Sequence, residues 1–188
     1  MSVISPINIL AISGSLRADS FNSTILKAML NMAPAEVKIT IYTSLDELPF
    51  FSSERDNENQ NPTVDILRKQ IAAADGVLIS TPEYAFGVPG VLKNALDWLV
   101  SSGELNEKPV FSISASPLNS AGEKALASLL LTLVALGTTE AGRLSIPNIK
   151  NKINANKEII DAETVKALEL ALQKLVKAIH DKQNNVHV

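Results

Sequence analysis

The stretch INILAISGSLRADSFNSTILKAML, Ile7 to Leu30, decides the fold. An apolar run of strand length, Ile7 to Ser13, breaks into a glycine, several hydroxyls and one arginine, and the chain then takes up a helical period from Asn22. Outward from it the same alternation repeats. VKITIYT (Val37 to Thr43), GVLIST (Gly76 to Thr81), PVFSIS (Pro109 to Ser114) and a weaker GRLSIP (Gly142 to Pro147) read as further strands. Helical patterns span Asn22 to Met32, Thr63 to Ala74, Val91 to Val100, Ser120 to Leu136 and Thr164 to Ile179, the last with Asp161 placed to cap it. Strands too apolar to face water, each followed by a helix, imply a parallel sheet covered on both faces by right-handed crossovers. The expected fold class is α/β, a doubly wound five-stranded parallel sheet. Ligands of such sheets bind at the carboxyl ends of strands where successive connections diverge. The loops after the first, third and fourth strands are therefore the places to examine.

Composition narrows the function. With 188 residues and 46% hydrophobic content, the chain is expected to form one domain over residues 1–188 around a well-buried core. A net charge of -3, without a basic cluster, offers no footprint for nucleic acid or an anionic membrane. The absence of cysteine rules out disulfides, thiolate nucleophiles and cysteine-ligated metals. The histidines, His180 and His187, fall near the C-terminal end and read as solvated residues of a tail rather than as bases or ligands. The N-terminal MSVISPINIL has neither a basic n-region nor a long apolar core, and a soluble cytoplasmic protein is expected. The polar stretch Ser52 to Thr63 reads as an exposed excursion between elements.

The loop after the first strand places Gly14, Ser15, Leu16, Arg17, Ser20, Phe21 and Asn22 ahead of a helix. Glycine permits a turn, the serines offer hydroxyl donors, and the helix start presents free amides at a positive dipole end. Arg17 adds a planar, permanently charged fork suited to phosphate oxygens. Capping by Ser20 or Asn22 accounts for part of this pattern, but not for Gly14, Ser15 and Arg17 together. The loop reads as a phosphate cradle. A P-loop lysine and a G-x-G-x-x-G fingerprint are both missing, which disfavours an ATPase or a dinucleotide fold.

After the third strand, Pro82, Glu83, Tyr84, Ala85, Phe86 and Gly87 lead through Val88-Pro89-Gly90 into VLKNALDWLV. The prolines and glycines stiffen the loop. Tyr84 and Phe86 are notable in a chain with five phenylalanines and two tyrosines, and they read as lining a flat ligand or a subunit contact. Leu92, Leu96, Leu99 and Trp98 give the following helix more apolar surface than one sheet-facing side requires, and a subunit contact is expected there.

These motifs together resemble the NADPH-dependent FMN reductase family, flavodoxin-like enzymes that include quinone, azo-dye and chromate reductases. Gly14-Ser15-Leu16-Arg17, Ser20, Asn22 and Leu26 match the stretch that binds the FMN phosphate in that family. Pro82 to Trp98 matches, at the same length, a stretch whose first part borders the flavin ring, with Ala85 in place of the usual asparagine and Gly87 in place of the usual serine. SASPLNSAGEKA, Ser114 to Ala125, aligns more weakly; Leu118 and Ala121 replace two family glycines, while Gly122 and Lys124 remain. The resemblance runs from Ile7 to Pro147. It implies strand order 2-1-3-4-5, a homodimer or homotetramer, FMN as cofactor, NAD(P)H as electron donor and a quinone, azo dye, flavin or similar small-molecule acceptor, reduced by a ping-pong mechanism. The cofactor-binding residues it implies are Ser15, Leu16, Arg17, Ser20, Phe21, Asn22, Pro82 through Gly87, Ser116, Ala121 and Gly122, with no catalytic side chain and no metal. A non-catalytic flavodoxin-like binding module with altered ring loops is the alternative.

Overall fold

The structure, a computed structural model, describes residues 6–57 and 61–185. Among these residues five strands form one parallel sheet in the order β2-β1-β3-β4-β5: β1 (Ile7–Ser13), β2 (Val37–Tyr42), β3 (Gly76–Thr81), β4 (Pro109–Ala115) and β5 (Thr139–Ile146). The helices are α1 (Phe21–Met32), α2 (Pro62–Ala73), α3 (Gly90–Asp97), α4 (Glu123–Ala135) and α5 (Ala162–Asn185). This is the doubly wound, flavodoxin-like order that the sequence implied.

Burial explains why the central strands were the easiest to read. Along β3 and β4 every residue is buried, whereas the edge strands β2 and β5 alternate or stay half-exposed. Successive side chains alternate between two cores. Leu10, Ile12, Val77, Ile79 and Val110 meet the layer of α2, α3 and α4. Ile9, Ala11, Leu78, Phe111 and Ile113 meet the layer of α1 and α5. β5 begins at Thr139, three residues before the strand read from sequence. Its first two residues, Thr139 and Glu140, are polar and exposed, and a bulge opposite Val110 and Phe111 breaks the alternation that would have marked the strand.

Two expectations are corrected. Trp98 is fully buried with Leu92, Leu96 and Leu99 in the α2–α3–α4 core, so α3 carries no surplus apolar surface for a partner. Its indole Nε1 donates to the Pro49 carbonyl at 2.8 Å, and its ring meets Phe51 edge to face at 5.1 Å. Asn94 also holds this segment, accepting from the Phe51 amide at 2.8 Å and donating to the Pro49 carbonyl at 3.0 Å. The chain after β2 thus folds down over α3 and consumes the face that sequence left unpartnered. The second correction concerns His180, which lies on an exposed turn of α5 rather than in a tail, because the helix continues to Asn185. His187 lies outside the described residues. Asp161 caps α5 as expected, its Oδ2 accepting from the Thr164 amide at 2.9 Å.

Candidate active site at the carboxyl edge of the sheet

The loops after β1, β3 and β4 converge on a cleft of about 220 Å³. Ser15, Arg17, Ser20, Phe21 and Asn22 line one side, Pro82, Glu83 and Tyr84 another, and Ala115, Ser116, Pro117 and Leu118 close the end. Residues far apart in sequence therefore meet where the fold predicts a ligand.

The β1–α1 side is built into the core. Gly14 is needed for space rather than for an unusual turn: a Cβ there would sit 3.0 Å from Leu92 Cδ2 and 3.1 Å from Thr81 Oγ1. The Ser13 and Ser23 hydroxyls pair at 3.0 Å across the loop. Ser20 is the N-cap of α1, its Oγ accepting from the Asn22 amide at 3.2 Å, which leaves the hydroxyl proton free to be given to an anion. Asn22 is buried, and its Oδ1 accepts from Ser80 Oγ at 2.8 Å, tying α1 to β3. It is thus a tie beneath the cradle as well as part of its wall. Arg17 is exposed at the cleft's edge. The serine hydroxyls, the α1 N-terminus and a guanidinium on one wall are the donor set a phosphate monoester requires. Leu16 faces away, toward a second hollow between the β1 and β2 ends that is also lined by Lys27, Tyr42 and Asp46.

The β3–α3 side is an exposed tight turn. Tyr84 and Gly87 exchange two backbone hydrogen bonds of 3.0 Å, while Ala85 and Phe86 between them have φ of 48° and 63°. Positive φ at both central residues marks a type I′ turn, normally the place of asparagine and glycine. Tyr84 is 49% and Phe86 68% exposed, and Lys124 Nζ lies 3.6 Å from the centre of the Phe86 ring. Only Tyr84 of this turn lines the cleft; Ala85, Phe86 and Gly87 lie next to it in the turn but do not line the cleft. Glu83 turns inward and accepts from the Ala125 amide at 3.0 Å in the first turn of α4. A carboxylate at a helix N-terminus is a favourable placement, and it locks the β3 loop to α4.

The β4 loop is anchored behind Glu83. Gly122 has φ of 76°, and a Cβ on it would approach Ser114 Cβ to 3.2 Å; Ala121 also takes a left-handed φ of 53°. Ser114 Oγ donates to the Ala121 carbonyl at 2.8 Å. Ala121 and Gly122 therefore shape the loop without lining the cleft, whereas Ser116 lines it. Sequence reading passed over Ala115, Pro117 and Leu118 as lining residues. The signal was their position directly after β4, where the switch-point rule applies whatever the side chain.

The comparisons agree with this geometry. The family model for NADPH-dependent FMN reductase matches residues 7–150. The chain belongs to that family. It is 31% identical over 173 residues to an NAD(P)H-dependent FMN reductase of Pseudomonas aeruginosa, covering 90% of this chain and 93% of that protein. It is 38% identical over 113 residues to a quinone reductase of Escherichia coli K12, a match spanning 58% of this chain and 60% of that enzyme. Among solved structures, the flavoenzyme NAD(P)H:(acceptor) oxidoreductase of Paracoccus denitrificans superposes with a TM-score of 0.80 at 26% identity, covering 93% of this chain and 98% of that one.

Proposed function

We propose that the protein is an FMN-dependent NAD(P)H oxidoreductase of the cytoplasm, a single domain that passes a hydride from NAD(P)H through FMN to a quinone, azo dye, flavin or similar small acceptor in ping-pong order. The observation that carries this reading is the convergence of the Ser15–Asn22 phosphate cradle and the Pro82–Tyr84 turn on one cleft. FMN, when bound, supplies the hydride chemistry, which is why the cleft needs no nucleophile or histidine base. The chain's own residues bind and orient. Arg17, Ser15 and Ser20 hold the phosphate, while Pro82, Tyr84 and Ser116 border the ring. Glu83 fixes the β3 loop against α4 and is a positioning residue.

Assembly belongs to the same reading. At about 220 Å³ the cleft is smaller than the roughly 300–1,000 Å³ usual for an organic ligand, and a neighbouring chain could extend its walls. Helix α4, whose first turn carries Lys124 against Phe86, also presents Ala127, Leu131 and Val134 to solvent, the last two 74% and 75% exposed. A second copy seated on this face, in a homodimer or homotetramer, would cover apolar surface and complete the site.

The test is direct. Protein equilibrated with FMN and desalted should keep flavin absorption bands, and should oxidise NADH or NADPH anaerobically when benzoquinone is supplied. FMN-loaded protein inert toward both nicotinamides would point instead to a non-catalytic flavin-binding module. Light scattering of Leu131→Glu, expected to be monomeric beside an oligomeric wild type, tests the assembly.

A further inference from the structure

Outside the cleft, a hairpin far along the chain reaches the phosphate loop. After β5, Ile153 and Ile159 pair as an antiparallel bridge, and the chain between them turns back on itself. The Lys157 amide donates to the Asn154 carbonyl at 3.0 Å, the Asn154 amide donates to the Glu158 carbonyl at 3.0 Å, and Lys157 has φ of 62°. This is a three-residue hairpin loop whose left-handed position glycine normally fills. Here that position holds a lysine, whose Cβ makes the left-handed conformation unfavourable relative to an ordinary backbone. The hairpin is braced from both sides: Asn154 Oδ1 accepts from the Glu158 amide at 2.9 Å, and the Lys152 carbonyl accepts from the Ile160 amide at 2.9 Å. From this tip the Lys157 ammonium forms an ion pair with Asp19, 138 residues away in sequence.

Asp19 belongs to the loop that forms the cradle, two residues after Arg17 and one before Ser20, both of which line the cleft, while its own side chain is exposed and does not line it. An unpaired carboxylate there would compete for the guanidinium and repel an incoming dianion. Lys157, chiefly by its hydrogen bond, holds the Asp19 carboxyl below its ordinary pKa, and the Arg17 guanidinium acts in the same direction. Both partners of the pair are exposed, so it contributes little to global stability. Its placement is what gives it a use.

We propose that Lys157 is a positioning residue for the FMN phosphate: by pairing with Asp19 it neutralises the one carboxylate of the Ser15–Asn22 loop and leaves Arg17 free for the phosphate. The proposal rests on the FMN reading above. Lys157 lies beyond the residues matched by the family model, 7–150.

A glycine at position 157 separates this role from a structural one, because it suits the turn while removing the charge. Lys157→Gly should leave the Tm of the flavin-free protein unchanged or slightly raised, yet weaken FMN binding about three- to tenfold, the range for a partly screened charge pair. Fluorescence titration with riboflavin should show no change, since riboflavin lacks the phosphate. Lys157→Met should behave like the glycine variant toward FMN, Lys157→Arg should keep wild-type affinity, and Asp19→Asn added to Lys157→Met should restore it. FMN affinity unchanged in both Lys157→Gly and Lys157→Met, an equal loss for riboflavin, or no recovery on adding Asp19→Asn would overturn the proposal while leaving the cofactor reading intact. A wild-type protein that binds no FMN removes that reading and this proposal together.

Discussion

The two ends of the cleft are held by opposite means. At the phosphate end the polar groups are tied into the core: Asn22 accepts from Ser80, Ser13 pairs with Ser23, and Ser20 caps α1, with all but Ser23 of these side chains buried. At the ring end the chain stands out as a type I′ turn whose central residues, Ala85 and Phe86, occupy a conformation neither favours. A charged group bound at a fixed point needs preorganised donors, since any reorganisation is subtracted from affinity. A flat ring that must receive donor and acceptor in turn is better served by an exposed, apolar rim. On the proposed function, rigidity is concentrated where the cofactor is anchored, and accessibility where substrates exchange.

Removing the anchor should give the largest effect. Arg17→Ala should weaken FMN binding by about 1.5–3 kcal/mol, the worth of a hydrogen bond to a charged group, and leave riboflavin binding nearly unchanged. Isothermal titration with both flavins makes the comparison. Equal losses would mean that Arg17 acts on the ring or on the loop's shape, and the division between the two ends would collapse.

Breaking the tie beneath the cradle should come next. Asn22→Ala leaves the fully buried Ser80 hydroxyl without its acceptor, which should lower stability by about 1–2 kcal/mol in urea unfolding. Ser80→Ala added to it should cost less than the sum of the two single changes, because the pair is lost only once. Strict additivity would show that the two side chains act separately, and that the phosphate end is not braced through this bond.

How much of this was legible beforehand follows the same division. Strands β1, β3 and β4 announce themselves because both faces are buried, and the β1–α1 loop does so because capping, hydroxyls and arginine fall within a few residues. What sequence misjudged depended on distant partners. The apolar face of α3 looked unpartnered because nothing local reveals that Pro49 and Phe51 fold onto Trp98 and Asn94. The face that does remain exposed, Leu131 and Val134 on α4, was hidden inside a helix apolar on most sides, where periodicity does not tell core from surface. Backbone conformation was equally out of reach: within the Tyr84–Gly87 turn it is Ala85 and Phe86, and not the glycine, that take positive φ.

Relaxing the ring end should be mildly stabilising. Asparagine tolerates left-handed φ better than alanine and is the usual first central residue of a type I′ turn. Ala85→Asn should therefore raise stability by about 0.5–1 kcal/mol, read as a higher Tm of the flavin-free protein. No gain would mean that the turn's hydrogen bonds already offset the strain.

The smallest effect, and the sharpest check on the contrast, is expected from adding Gly87→Ser to Ala85→Asn. Gly87 is not among the residues with positive φ, and a Cβ on it meets nothing nearer than the Tyr84 carbonyl at 3.8 Å, so serine fits without moving the backbone. The turn keeps its length and its two hydrogen bonds, and Tyr84 keeps its place on the cleft wall. Stability should match that of Ala85→Asn alone within about 0.5 kcal/mol, as for an unstrained surface change. FMN affinity should be equal to wild type or tighter, since two side chains able to hydrogen-bond now stand at the ring end and nothing at the phosphate end has changed. A large loss of FMN affinity in the double variant, with Ala85→Asn alone harmless, would show that the rim closes tightly on the ring and that this end, too, is rigidly specified.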